Sequence, residues 1–168
     1  MRRSLQLVLV AATLFPGHAH AQRPTVAGMD SLLQHLVGTW EMVGTVRGRP
    51  ATYRLQATRV LQNRFVELHM EDVSRPPAYE ARVYIGVDSL AQRYIVHWLD
   101  NFGAGYSIPH AVGEERGDTI QFTFAYADGP FRDTFVYDRA RSGWHFRLES
   151  GDSTGHLLLF ADYQVQRQ

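Results

Sequence analysis

Asp118-Thr119-Ile120-Gln121-Phe122-Thr123-Phe124-Ala125-Tyr126-Ala127 carries a large apolar side chain at every second position. Ile120, Phe122, Phe124 and Tyr126 fall on one side of an extended chain and Gln121 and Thr123 on the other, because successive strand residues point to opposite faces. A helix would scatter these aromatics round its axis, so the stretch reads as a half-buried strand. The same period of two recurs in three other places. From Trp40 to Arg47, Trp40 and Met42 alternate with Glu41; from Arg64 to Asp72, Val66, Leu68 and Met70 oppose Glu67, His69 and Glu71; from Trp144 to Glu149, Trp144, Phe146 and Leu148 oppose His145, Arg147 and Glu149.

Further strands are expected near Tyr53–Leu61, Tyr79–Val87, Arg93–Asp100, Ser107–Glu114, Phe131–Tyr137 and Leu157–Val165. Between the strands stand turn formers: Gln62-Asn63, Pro76-Pro77, Asp88-Ser89, Asn101 to Gly105, Gly117-Asp118, Asp128-Gly129-Pro130, Ser142-Gly143 and Gly151-Asp152. About ten strands joined by short connections make an antiparallel up-and-down meander. Closure of so long a meander removes its exposed edges. The predicted fold is therefore all-β, an up-and-down antiparallel barrel with one short N-terminal helix. Met29, Leu32, Leu33 and Leu36 supply that helix's single apolar face, Asp30 is expected in its first turn, and Gly38 ends it.

Composition limits the function classes. The chain has 168 residues, 17 basic and 17 acidic side chains, and 45% hydrophobic residues. That is enough for one domain with a sizeable core. The absence of cysteine excludes a disulfide framework, thiolate metal sites and a cysteine nucleophile. Balanced charge argues against nucleic acid or an anionic membrane surface as partner. Every basic residue other than histidine is arginine, spread over nearly every segment, which reads as codon bias better than as an anion site.

Residues 1–21 read as a signal peptide: Arg2 and Arg3, an apolar run from Leu5 to Phe15, the breakers Pro16-Gly17 and the small-x-small site Ala19-His20-Ala21. The apolar run is too short for a bilayer that needs roughly twenty residues. Residues 22–168 would then form a single exported domain, periplasmic or extracellular, with no membrane span.

A barrel of this strand number is filled by side chains or holds one small ligand. The inward candidates are bulky: Trp40, Met42, Leu68, Met70, Trp98, Phe122, Phe124, Tyr137, Trp144 and Phe146. Each suits core packing. Together they also suit the wall of a pocket for a flat or apolar ligand, and of these Trp40, Met42, Met70, Trp98, Phe122, Phe124, Tyr137, Trp144 and Phe146 are the candidate ligand contacts.

A short helix leading into Leu36-Val37-Gly38-Thr39-Trp40 resembles the opening of calycin barrels, the superfamily of lipocalins, fatty-acid-binding proteins and nitrobindins. Leu61-Gln62-Asn63-Arg64-Phe65-Val66, Gly86-Val87-Asp88, the run from Tyr94 through Trp98 to Asp100, and Arg167 extend the resemblance to a bacterial, often secreted, lipocalin-like family of unknown function. The resemblance implies a barrel with the Gly-x-Trp tryptophan at its floor beside the helix. It implies no reaction. The weaker similarity to nitrobindins implies haem as an alternative ligand, with His156 of Gly155-His156-Leu157 as axial ligand. This chain departs from that pattern in Met42 and Val46 around Gly44, and in the length of its tail after His156.

Other motifs read as ordinary structure. Gly151-Asp152-Ser153-Thr154-Gly155 matches the G-x-S-x-G of hydrolase elbows, but such an elbow joins a strand to a helix and this run joins two strands. Glu67, His69 and Glu71 align on one strand face, yet the opposite face is apolar, so theirs faces water. His97, between Ile95 and Leu99, is expected to be a satisfied core histidine, or second a ligand contact. The expected function is a non-enzymatic binding protein for a small apolar or aromatic ligand, with no catalytic residue and no cofactor assigned. The alternatives are the haem barrel, a filled barrel acting through its outer surface, and an enzyme whose nucleophile or base the sequence does not name.

Overall fold

In the computed structural model, which describes residues 26–168, helix α1 (Val26–Leu36) precedes ten strands. They are β1 (Gly38–Val46), β2 (Arg49–Val60), β3 (Phe65–Asp72), β4 (Glu80–Asp88), β5 (Arg93–Asp100), β6 (Ala111–Arg116), β7 (Thr119–Tyr126), β8 (Gly129–Asp138), β9 (Gly143–Gly151) and β10 (Leu157–Arg167). Each strand pairs antiparallel with its neighbours in sequence, and β1 pairs with β10, so the sheet closes. The expected all-β up-and-down barrel with one N-terminal helix is the observed fold. The signal peptide expected over residues 1–21 lies outside the described residues. Among these, no helix is long and apolar enough to cross a membrane.

The period-two faces fall as expected: Ile120, Phe122 and Phe124 are buried on β7, and Gln121 and Thr123 are exposed. Several boundaries differ from the sequence reading for local reasons. Strand β2 starts at Arg49 because Arg47 and Gly48, with φ of 48° and 74°, form a two-residue hairpin loop matching the strand twist. Strand β6 starts at Ala111, after Pro109, which has no N–H for a ladder. The helix starts at Val26, so Asp30 lies beyond its first turn and instead pairs with Arg59 at 2.7 Å.

The helix closes one end of the barrel. Met29, Leu32, Leu33 and Leu36 are buried against the strands. Three aromatic side chains tie the helix backbone down: Trp40 Nε1 donates to the Leu36 carbonyl at 2.7 Å, Tyr94 Oη to that of Met29 at 2.9 Å, and Trp144 Nε1 to that of His35 at 3.3 Å. The Leu36 and His35 carbonyls lie in the last turn, where helix carbonyls have no partner within the helix. The Arg167 guanidinium covers the Trp40 ring at 4.4 Å and donates to the Val37 carbonyl at 3.3 Å. First and last strands are thus locked across this floor. Gly44 lets them meet closely: a Cβ there would stand 1.9 Å from the Asp162 carbonyl oxygen.

Two departures from regularity shape the other end. In β10 the register shifts between Leu159 and Ala161, so Phe160 is an extra residue, a bulge that re-aims its side chain. Strands β5 and β6 pair at only three positions, Tyr94–Val96 with Ala111–Gly113. The rest of β5 runs on beside the connection 101–110.

Candidate functional site

At the end away from the helix, the barrel interior is not filled. A cavity of about 740 Å³ occupies it. Its wall comes from the distal halves of the strands: Met42 and Val46 of β1, Tyr53 of β2, Met70 of β3, Trp98 and Asp100 of β5, Phe124 and Tyr126 of β7, Phe131, Asp133 and Phe135 of β8, Phe146 and Leu148 of β9, Phe160 and Tyr163 of β10. Tyr79 and the connection residues Phe102 and Tyr106 complete the rim, the last two largely exposed.

The wall is an aromatic cluster. Tyr53 stands edge-on to both Tyr79 and Tyr163, with ring centroids 5.8 and 5.6 Å away. Trp98 is edge-on to Phe124 at 6.2 Å and donates its Nε1 hydrogen to Tyr79 Oη at 3.3 Å. Tyr79 Oη in turn donates to Asp100 Oδ2 at 3.4 Å. The bulged Phe160 packs edge-on against Phe131 at 5.2 Å and carries the Arg47 guanidinium on its ring at 5.0 Å. Burial, foremost, raises the tyrosines: Tyr79 is also pushed up by Asp100, and Tyr163 by Tyr53, Tyr79 and Asp133. All stay neutral hydrogen-bonding groups at ordinary pH.

Asp133 stands apart. It is 1% exposed, and its Oδ1 has no hydrogen-bond partner among the described residues. Its cross-strand partners are Phe122 and Leu148, and the next inward residues along β8 are Phe131 and Phe135. Withdrawal from water in this apolar setting pushes its carboxyl up to about 8. The outward face of the same strand pair shows the contrast. Glu149, largely buried but less so than Asp133, accepts from Arg132 at 2.9 Å and Arg147 at 3.1 Å, and these bonds outweigh its desolvation and hold its carboxyl below the usual range.

Of the nine candidate contacts, Met42, Met70, Trp98, Phe124 and Phe146 line the cavity. Trp40, Phe122, Tyr137 and Trp144 do not. Trp40 and Trp144 are bonded under the helix, Tyr137 stacks on His35 at 4.3 Å, and Phe122 packs between Tyr94 and Phe135, over Gly113. Leu68 is likewise buried outside the lining. Sequence reasoning missed Asp133, the rim tyrosines and Phe160. Asp133 left a signal: it is the single acid on the inward face Phe131, Asp133, Phe135, Tyr137.

The remaining motifs are accounted for locally. Glu67 accepts from Arg82 Nη1 at 2.7 Å and Tyr84 Oη at 3.1 Å, and His69 Nε2 lies 2.9 Å from Glu80 Oε1, all on the outer face. His97 also points outward, which corrects the core expectation; its Nδ1 meets the Pro109 carbonyl at 2.7 Å. Asp152 Oδ1 accepts from the backbone N–H groups of Thr154 and His156, at 2.8 and 3.1 Å, so the G-x-S-x-G run is a turn between strands. His156 is exposed in that turn and outside the cavity wall. It does not fit an axial haem ligand for this cavity, and no histidine is among the wall residues.

No protein-family signature matches the chain, and no curated protein matches it. Among solved structures it is similar to that of Rv2717c from M. tuberculosis, with 15% sequence identity and a TM-score of 0.56, over 82% of this chain and 96% of that one. Identity so low bears on fold alone. With the closed ten-strand sheet, it fits a calycin-like barrel.

Proposed function

We propose that this barrel is an exported, non-enzymatic binding protein that holds a small apolar or aromatic ligand in the cavity opposite its helix. The observation that carries the proposal is the cavity itself: about 740 Å³, walled by aromatic side chains with a few polar groups among them. Small-molecule pockets have roughly this size, 300–1,000 Å³, and this composition. A barrel acting only through its outer surface gains nothing from such a void, since unfilled volume forfeits packing. Support for export is the basic, apolar and Ala-x-Ala order of residues 1–21.

The test is native mass spectrometry of the protein purified from its own host, with extraction and identification of any bound species, followed by titration of that species against tryptophan fluorescence. Trp98 lies on the wall, whereas Trp40 and Trp144 lie in the floor. Quenching should therefore vanish in Trp98→Phe and persist in Trp144→Phe. A protein that carries nothing and takes up no hydrophobic probe contradicts the proposal. Chemical conversion of the bound species would replace it with an enzyme.

A further inference from the structure

Three observations about the cavity concern charge, and they point the same way. A buried carboxyl needs a partner, because a buried polar group left without one loses the whole of its hydration. On this strand pair the outward carboxyl, Glu149, has two arginines, and the inward one, Asp133, has none among the described residues. Neither cross-strand neighbour can help, since Phe122 and Leu148 have no polar side-chain atoms.

The second observation is the balance of charge. Acidic wall residues are Asp100, Asp128 and Asp133, and the single cationic one is Arg47, which sits at the rim with its guanidinium on Phe160. An anionic ligand would meet the buried Asp133 carboxyl, two further carboxyls toward the mouth, Asp100 and the exposed turn residue Asp128, and a single guanidinium already seated on a ring. The third is the character of the wall. Trp98, Phe124, Tyr53 and Tyr163 all line the cavity, and aromatic rings attract cations through their π-electron density, more so out of water.

We infer that the cavity selects organic cations, small molecules that join an aromatic or apolar body to a protonated amine, with Asp133 as the counter-ion and the aromatic wall around the body. This inference rests on the cavity being a ligand site and adds what that ligand must carry. A primary amine is protonated at neutral pH as lysine is, and it supplies the donor that Asp133 lacks. A neutral body of the same shape leaves the carboxyl as it was.

Calorimetric titration of the full mature chain with three indoles of matched shape tests this: tryptamine, uncharged 3-propylindole and anionic indole-3-propionate. Tryptamine should bind at least about tenfold more tightly than either. In Asp133→Asn, which keeps the shape and removes the charge, that advantage should fall to about twofold or less while 3-propylindole binds as before. Equal binding of all three to the unaltered protein, or preference for the anion, overturns the amine inference and leaves the cavity reading standing. Tryptamine preference that survives in Asp133→Asn overturns the role of Asp133. If none of the three binds, the cavity reading falls, and the amine inference with it.

Discussion

The two ends of this barrel are made by the same strands and treat buried polar groups in opposite ways. At the helix end, the Trp40 and Trp144 indoles and the Tyr94 hydroxyl each find a backbone carbonyl of α1, and Tyr94 also meets Glu115 at 2.6 Å. At the other end the same barrel buries the Asp133 carboxyl, whose Oδ1 has no hydrogen-bond partner among the described residues. Trp40 and Met42 are two residues apart on one face of β1, yet one is locked under the helix and the other borders open volume. The floor is built for stability. The cavity end gives up stability to keep an unpaired carboxyl and a space, a pattern typical of functional sites.

The largest effect expected concerns pH. In the unfolded chain Asp133 releases its proton near 3.8, whereas in the barrel it holds the proton up to about 8. Between these values the folded state binds more protons, so this group's contribution to stability is intact below 3.8 and is lost as pH rises toward about 8. The slope approaches about 1.4 kcal/mol per pH unit. Asp88, Asp118 and Asp152, the first two half-buried and the last exposed, are shifted the other way, Asp88 and Asp152 by hydrogen bonds from nearby turn residues and Asp118 by those from Arg139. Their effect therefore falls below 3.8 and does not overlap. Urea unfolding across this range should show the decline in the natural chain and a flatter profile in Asp133→Asn. Parallel profiles would mean that the cavity end stores no such penalty.

Next in size is truncation of the floor. Trp40→Ala should lower stability by about 3–5 kcal/mol, as deletion of a fully buried aromatic does, and should leave affinity for a cavity ligand unchanged in whatever fraction stays folded. Trp98→Ala reverses the pattern. It borders space on one side and loses contacts on the other only, so a loss of about 1–2 kcal/mol is expected in the same urea assay, together with about tenfold weaker ligand binding. Equal stability losses would erase the distinction between the ends. The smallest effect belongs to the rim: Phe102→Ala, at an exposed side chain, should change stability by less than about 0.5 kcal/mol and show itself in stopped-flow ligand kinetics.

How far the sequence was legible follows the same division. Alternation depends on neighbours in the chain, so the strand faces of β3, β7 and β9 could be read directly. The resemblance of Gly38-Thr39-Trp40 placed a tryptophan at the floor beside the helix, where Trp40 lies. Membership of the cavity wall is another matter. It depends on where each residue falls along the barrel axis, which strand stagger sets and local pattern does not encode. That is why Phe122 and Phe124, equal in the sequence, part company at the floor. The apolar run Leu157-Leu158-Leu159-Phe160 hides its bulge because both faces are apolar. Asp133 is visible as an acid on an aromatic face, but residue type alone does not separate it from turn aspartates such as Asp88 and Asp138, whose carboxylates accept backbone N–H bonds.

Under the proposed binding function, the short seam between β5 and β6 bears on traffic in and out of the cavity. Past Val96, β5 continues through Trp98 to Asp100 with no β6 residue opposite, and the connection 101–110 lies alongside, held where His97 meets the Pro109 carbonyl. Phe102 and Tyr106, from that same connection, overhang the cavity. The doorway and the slackest joint of the cylinder are therefore one piece of chain. How long a guest stays would then be governed by that strap's breathing, while the remaining staves hold their shape.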